Sequence, residues 1–374
     1  MDFDVAVVGL GVTGGAALHR LARRGCRVVG IERFTPGHDR GSSHGATRII
    51  RLGYFEHPSY VPLVRAAFAL WRALERDAGA SLLRVTGIIE IGAPDSELVT
   101  GTLRSAREHA LDHEPLDAAG LMRRFPAFRV PENFVGVYQP EGGILAAEPA
   151  VLAQIALAQA AGAEVRANET VHAIEPRPDG VRIVTDRGSV EAAQAIVAAG
   201  PWAKRLLPGL VLPIRVTRQV VGWFAPADPR LFAPERCPVF LIDSGAGMFY
   251  GFPAGHRPGI KFAKHHHDDE AVDPDAPARP MTDADEATLR AALAAHVPAA
   301  NGRRLDAQTC LYTMAPDGHF IIDRLPAVPQ VIVASPCSGH GFKFAPVVGE
   351  ILADLATAGT TRHDISRFRL ARFA

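Results

Sequence analysis

The chain opens on a short apolar run, Val5 to Val8, rich in β-branched residues, which is the pattern of a strand buried on both faces. Gly9-Leu10-Gly11-Val12-Thr13-Gly14 follows it. Ala16, Leu18 and Leu21 then recur at the spacing of one helix face until Gly25 ends the segment. A second apolar run, Val28 to Ile31, leads into Glu32. Strand, glycine turn, helix and strand in this order predict a βαβ unit.

Farther along, Leu63, Ala67, Leu70 and Leu74 mark one face of a helix over Tyr60 to Asp77. Pro140 to Gly143 read as a loop before a helix over Pro149 to Ala161. Val171 to Ile174 and Val181 to Val184 read as strands of a meander around Pro178-Asp179-Gly180. Ala195 to Ala198 is another buried strand, closing on Ala199-Gly200-Pro201-Trp202. From Leu212 to Cys310 the pattern turns to alternating strands, with a polar loop over His265 to Ala278. Val331 to Ala334 is a last strand, followed by a glycine-bearing loop and a helix over Pro346 to Ala358. Nucleotide-binding segments at both ends thus enclose a β-rich insertion.

Length makes two lobes the expectation, since 374 residues exceed the size at which one core stops growing. Forty basic residues balance forty acidic ones, which argues against nucleic acid or an anionic membrane as the main partner. No apolar stretch reaches the length of a membrane span, and Asp2 and Asp4 stand where a signal peptide would be positive. Cys26, Cys237, Cys310 and Cys337 lack CxxC spacing, so neither a disulfide framework nor a zinc site is expected, and a reducing cytoplasm fits. His265-His266-His267-Asp268-Asp269 invites a metal assignment, but adjacent side chains diverge and no second ligand set is evident; most of the run reads as solvated loop and no metal is expected.

Gly9, Gly11 and Gly14 form G-x-G-x-x-G between strand and helix. The first glycine permits a tight turn, the second lets backbone approach a pyrophosphate, and the third allows close helix–strand packing. Glu32, at the end of the next strand, is placed to accept hydrogen bonds from a ribose. Alone, this fingerprint does not separate NAD from FAD.

Longer motifs do. Gly41-Ser-Ser-His44-Gly45-Ala46-Thr47-Arg48-Ile-Ile-Arg51, with Tyr54 and Tyr60-Val-Pro-Leu63, resembles the signature of the monomeric sarcosine oxidase and N-methyl-L-tryptophan oxidase family, within the D-amino acid oxidase superfamily. Tyr250-Gly-Phe-Pro253, Lys261, Cys310-Leu-Tyr-Thr-Met314, His319 to Pro326 and Ser338-Gly339-His-Gly341-Phe342-Lys343-Phe344 extend the resemblance over essentially the whole chain. It implies an α/β, two-domain protein: a glutathione-reductase-like, Rossmann-type FAD domain (1–80, 140–211 and 320–374) and an antiparallel-sheet substrate domain (81–139 and 212–319). It further implies a monomer acting on a small secondary amine and oxygen.

The resemblance also implies roles for single residues. Cys310 would carry the flavin through its 8α-methyl group. Lys261 would stabilise the charge that develops as oxygen is reduced, and Arg48 would sit against the flavin. Arg51 and Lys343, with Tyr54, would hold the substrate carboxylate, a planar guanidinium fork beside a point charge. His44, Tyr250 and His265 would orient the amine. Further cofactor contacts would come from Val12, Thr13, Arg33, Ser42, Val171, Ala199, Gly200, Trp202, Met314, Gly339, Gly341 and Phe342, Trp202 packing on the cofactor domain's core. Within Lys261's own strand, alternation points the side chain away from Ile260 and Phe262.

The expected activity is oxidation of sarcosine or another N-methyl L-amino acid to an imine and hydrogen peroxide. Cyclic L-proline or L-pipecolate, or a non-oxygen electron acceptor, are the alternatives. Ser43 and Ala46 depart from the family's usual histidine and aspartate beside the signature, and Gly318 replaces a commonly acidic residue. The first two bear on which amine is taken rather than on the reaction class.

Overall fold

In the computed structural model, which describes residues 1–206, 212–276 and 278–374, the opening segment forms a βαβ unit. Strand Phe3–Val8, helix Val12–Arg23 and strand Val28–Glu32 follow one another, and every residue of the second strand is buried. Parallel pairing sets Val5 opposite Val28 and Val8 opposite Ile31. A strand covered on both faces has no solvent side to make polar, hence the unbroken apolar run.

An eight-stranded sheet grows around this unit. Its parallel centre runs Glu164–Ala167, Val28–Glu32, Phe3–Val8, Gly188–Val197 and Val328–Ser335. Strands Val171–Arg177 and Gly180–Thr185 add the antiparallel meander, and Ile321–Leu325 turns back on Val328–Ser335. Helices Val12–Arg23, Tyr60–Ala78, Ala147–Ala160 and Ala345–Ala358 share one core with one face of this sheet. Nucleotide-groove strands from the two ends of the chain therefore lie in one layer. The boundary expected between residues 211 and 212 adjoins positions 207–211, outside the described residues.

A second eight-stranded sheet draws its strands from 88–139 and 215–314. It is antiparallel except where Val239–Asp243 runs parallel to Ile88–Gly92. A small third sheet joins Thr47–Arg51, Gly142–Ala146 and Leu83–Val85. Here the structure differs from the expected loop over Pro140 to Gly143. Gly142 and Gly143 are strand residues, since the absence of side chains lets flanking backbone close in: a Cβ on Gly143 would stand 2.2 Å from the Arg84 carbonyl oxygen. The polar stretch from His265 also differs. His267 is buried and bonds Asp285 at 2.8 Å, a partner eighteen residues away that composition does not disclose. No helix among the described residues is long and apolar enough to cross a membrane.

Close approach of the first and last long helices rests on Gly349, where an added Cβ would lie 2.6 Å from the Ala16 carbonyl carbon. Gly349→Val should therefore force the two helices apart and cost about 1–3 kcal/mol through overpacking. Thermal unfolding reads this as a lowered Tm; an unchanged Tm would contradict the packing described.

Candidate active site

Two adjoining cavities share part of their lining. The larger, about 420 Å³, is lined at one side by Gly9, Gly11, Val12, Thr13, Glu32 and Arg33. Ser42, Val171, Ala199, Gly200, Trp202 and Phe342 complete the predicted set around it. Gly9 has φ +89, and a Cβ there would lie 2.7 Å from the Ala199 Cα, so glycine is required by both conformation and space. Gly11 is the open position: only Ser43 Oγ would come within 4 Å of an added Cβ, at 3.1 Å. Gly14 does not line the cavity. It packs on the Gly9 carbonyl oxygen, which a Cβ would meet at 1.8 Å. Glu32 Oε2 accepts from Leu10 N at 2.7 Å and Oε1 from Phe34 N at 3.0 Å, fixing the carboxylate at the groove. Trp202 is half-buried at the groove, its Nε1 donating to Asp275 at 2.8 Å.

The smaller cavity, about 90 Å³, shares Ser42, Cys337 and Phe342 with the larger and brings together His44, Arg48, Arg51, Tyr250, Lys261 and His265. Cys310, Gly339, Gly341 and Lys343 line it as well. Gly339, at φ +80, passes so near the Tyr312 ring that a Cβ would lie 2.7 Å away. Tyr54 and Met314 line neither cavity. Tyr54 lies behind the lining, its hydroxyl 2.6 Å from His340 Nδ1 and its ring 4.2 Å from the Arg51 guanidinium.

Four buried or half-buried cations border this space, and their partners differ in charge. Lys261 is 4% exposed; its Nζ donates to the carbonyls of Gly45 (2.7 Å) and Thr47 (2.9 Å) and to Thr47 Oγ1 (3.3 Å). Burial first, then the Arg48 charge, holds its pKa well below the ordinary lysine value. Arg48 likewise donates to backbone carbonyls, of Thr47, Ser42 and His44, at 2.6–2.8 Å. Glu148 fastens the loop that supplies these acceptors, taking the amides of Gly45 and Ala46.

Arg51 instead meets carboxylate. Nη2 donates to both oxygens of Glu56 at 2.6 Å, and Nη1 to the Gly53 carbonyl at 2.7 Å. Burial opposes the charged guanidinium, and the Glu56 charge reverses that, so its pKa rises. Lys343 Nζ donates to the His340 carbonyl at 2.7 Å, and burial followed by the Arg51 charge brings its pKa down to about 7. Burial also keeps the histidines neutral: His44 falls to about 4, helped by Arg48, and His265 lies well below its usual range. Tyr250 is pushed up to about 12 by burial and then by Cys310. Burial raises the Cys310 thiol, against which the charges of Arg48 and Lys261 pull it down.

Glu56, Glu148, Gln308, Tyr312, Cys337 and His340 belong to this site and were not singled out from the sequence. Glu56 had a signal, an acidic residue five positions after Arg51, and Tyr312 and His340 stand within the motifs quoted for the resemblance; Glu148, Gln308 and Cys337 meet them only in three dimensions. Elsewhere, His267, Asp268 and Asp285 have ligand-type atoms within 4.8 Å, but Asp285 is already taken by Arg218 Nη2 at 2.8 Å.

Buried polar atoms without protein partners test whether an isoalloxazine suits this space. Ser42 Oγ, both ring nitrogens of His44 and Gln308 Oε1 are such atoms, all on cavity-lining residues. Buried polar groups normally find a partner, so this set fits a ligand with a polar edge. A dinucleotide groove running into a small chamber bordered by cations is the layout of a flavin-dependent oxidoreductase.

The chain belongs to the FAD dependent oxidoreductase family, which matches residues 4–355. It is 41% identical to the monomeric sarcosine oxidase of Streptomyces avermitilis, covering 100% of this chain and 98% of that protein. Against the N-methyl-L-tryptophan oxidase of Salmonella dublin it is 36% identical, over 100% of both. Among solved structures, NikD, described as an unusual amino acid oxidase essential for nikkomycin biosynthesis, superposes in its open form with a TM-score of 0.86 at 30% identity, over 98% of this chain and 97% of NikD.

Both carboxylate oxygens of Glu56 are taken up with Nη2 of Arg51, where they would oppose any second anion. Glu56→Gln should thus tighten binding of propionate, a small carboxylate without an amine, by on the order of tenfold, the scale of one removed competing charge. Equilibrium titration checks this, and unchanged affinity would show that Glu56 does not compete for Arg51.

Proposed function

We propose that this chain is an FAD-dependent oxidase of small secondary amino acids, sarcosine or another N-methyl L-amino acid, yielding an imine and hydrogen peroxide. The observation that carries the reading is the convergence of Arg51 and Lys343 with Lys261, Arg48 and Cys310 on one chamber beside the dinucleotide groove. Relatives whose names specify sarcosine and N-methyl-L-tryptophan oxidation support it. Small cyclic imino acids, L-proline or L-pipecolate, form the second reading, since they offer Arg51 and Lys343 the same carboxylate beside a secondary amine.

In this reading Arg51 and Lys343 hold the carboxylate, one as a fork and the other as a point charge. Tyr54, behind them, supports both through its ring and hydroxyl. His265, uncharged and 3.3 Å from the Tyr312 hydroxyl, is suited to accept a hydrogen bond from the substrate amine and so orient it. Tyr250 and His44 orient the amine. The flavin, when bound, supplies acceptance of a hydride equivalent and its delivery to oxygen. Lys261 then presents fixed positive charge where oxygen gains electrons, held there by the Gly45 and Thr47 carbonyls. Glu32 and Arg33 would serve the adenosine end, and Gly339, Gly341 and Phe342 the ring end.

Cys310 is the proposed point of covalent attachment through sulfur, because it lines the chamber where the charges of Arg48 and Lys261 offset part of the burial that raises its thiol pKa. The proposed division into an FAD domain (1–80, 140–211, 320–374) and a substrate domain (81–139, 212–319) follows the two large sheets. Four free cysteines suit a reducing cytoplasm, and we assign a monomer by analogy with the name of the Streptomyces relative.

Anaerobic titration of the flavin-loaded protein with sarcosine, N-methyl-L-tryptophan, L-proline and L-pipecolate tests the substrate class by flavin bleaching. Bleaching by sarcosine or N-methyl-L-tryptophan is expected; none with any of the four overturns the proposal, and a response confined to the cyclic acids selects the second reading. Lys261→Met should slow reoxidation by oxygen about 10²–10³-fold while leaving reduction within about tenfold. Equal slowing of both half-reactions would remove Lys261 from its assigned role. Cys310→Ser should release the yellow colour into the supernatant on acid denaturation, whereas the native chain retains it in the pellet; release from both would exclude the linkage.

A further inference from the structure

Outside the chamber lining, near Nη1 of Arg51, lies a carboxylate that the reading above does not use. Glu90, in strand Ile88–Gly92, is fully buried, and neither of its carboxylate oxygens has a hydrogen-bond partner. Its nearest charge is Arg51 Nη1, 3.8 Å from Oε1. That is an ion-pair distance and too long for a hydrogen bond. Burying a carboxylate without hydrogen bonds is costly, so Glu90 calls for an account beyond packing.

Arg51 does not need Glu90 to be aimed. Its Nη1 donates to the Gly53 carbonyl at 2.7 Å, and its guanidinium lies 4.2 Å from the Tyr54 ring and 4.6 Å from the Phe55 ring. What Glu90 adds is charge. The groups facing it are Arg51, Glu56, Tyr54 and Lys343, with the Thr102 hydroxyl on the packed helix; Arg51, the Thr102 hydroxyl and Lys343 favour its ionised form, and Glu56 disfavours it. Burial, the largest influence, lifts its pKa to about 7.

We propose that Glu90 is an inner counter-charge to Arg51, a positioning residue that weakens the pull of the guanidinium on any carboxylate in the chamber and so lets that outer partner exchange. The proposal rests on Arg51 being the carboxylate site. Glu56 and a substrate carboxylate compete for the same guanidinium, and Glu90 opposes both alike. Its effect on ligand affinity therefore emerges fully only when Glu56 is neutral. The sign with pH follows from the chemistry. Above about pH 7 Glu90 is ionised and opposes carboxylate binding; as pH falls through that value it takes a proton and the opposition fades.

The test is equilibrium titration of the flavin-loaded protein with propionate, comparing Glu56→Gln alone with Glu56→Gln carrying Glu90→Gln or Glu90→Leu. One replacement is isosteric and the other apolar, so a folding fault in either leaves the second. Both should tighten propionate by on the order of tenfold at pH 8.5, and the ratio of parent to variant Kd should shrink at pH 5.5. Taking the ratio matters because Lys343, with its pKa near 7, titrates in parent and variant alike. A purely structural Glu90 would give weaker binding at every pH. Unchanged or weakened affinity, or a ratio that ignores pH, overturns the inference while leaving Arg51 as the carboxylate site. Propionate binding that survives Arg51→Gln without loss overturns that site, and the inference with it.

Discussion

A charge taken out of water must be solvated by the protein, and the working chamber is built around that requirement. Lys261 and Arg48 are wrapped by carbonyls of the loop from Ser42 to Thr47, which are strong acceptors but carry no charge. Carbonyls stabilise a cation without cancelling it, and so oppose the burial that lowers the Lys261 pKa. A carboxylate partner would have stabilised the same cation and spent its field. The loop owes its shape to Gly45 at φ +101 and Ala46 at φ +68, and its position to the Glu148 carboxylate at the start of the helix Ala147–Ala160. Lys261 comes from the second large sheet, while its acceptors are Gly45 and Thr47, the latter opening the first strand of the small third sheet. The site is complete only when the two layers dock, which ties the chemistry to the fold.

Arg51 and Lys343 follow a different logic. The guanidinium holds Glu56, and the ammonium leans on a single carbonyl and the Tyr54 hydroxyl at 3.4 Å. Burial and the adjacent guanidinium hold Lys343 near neutrality at about 7. An arriving carboxylate would favour its protonated form, so this cation is strongest when there is something to bind. Removing one partner of a buried ion pair costs about 3–5 kcal/mol, because the remaining charge is stranded. Glu56 must accordingly be exchanged for another anion rather than simply lost.

How much of this could be read in the chain follows from how local each feature is. The βαβ unit was legible because strand, turn and helix each leave a periodic trace within thirty residues, and Phe3–Val8 with Val28–Glu32 fall where the apolar runs lie. The orientation of Lys261 was legible too: Ile260 and Phe262 enter an aromatic core with Phe240 and Phe249, and alternation leaves the lysine on the other face. Gly142 and Gly143 were not, since paired glycines look the same in a turn as in a crowded strand. His267 was hidden among polar neighbours because its burial depends on Asp285 and Arg218 from other elements. Trp202 stands at the mouth of the groove rather than against the core alone, reaching Asp275 across the insertion.

The same distinction explains why the anionic half of the site was the harder half to see. Arginines and lysines stood out through the motifs that hold them, whereas Glu56, Glu90 and Glu148 are single acidic residues in unremarkable stretches. Yet they decide what the cations can do. Glu148 fastens the loop whose carbonyls hold Lys261, and Glu56 takes up Nη2 of Arg51. Glu90 faces Arg51 from within the second sheet. Charge in a dry chamber is a property of the whole set, so shifting one carboxylate changes the strength of every cation that shares its field.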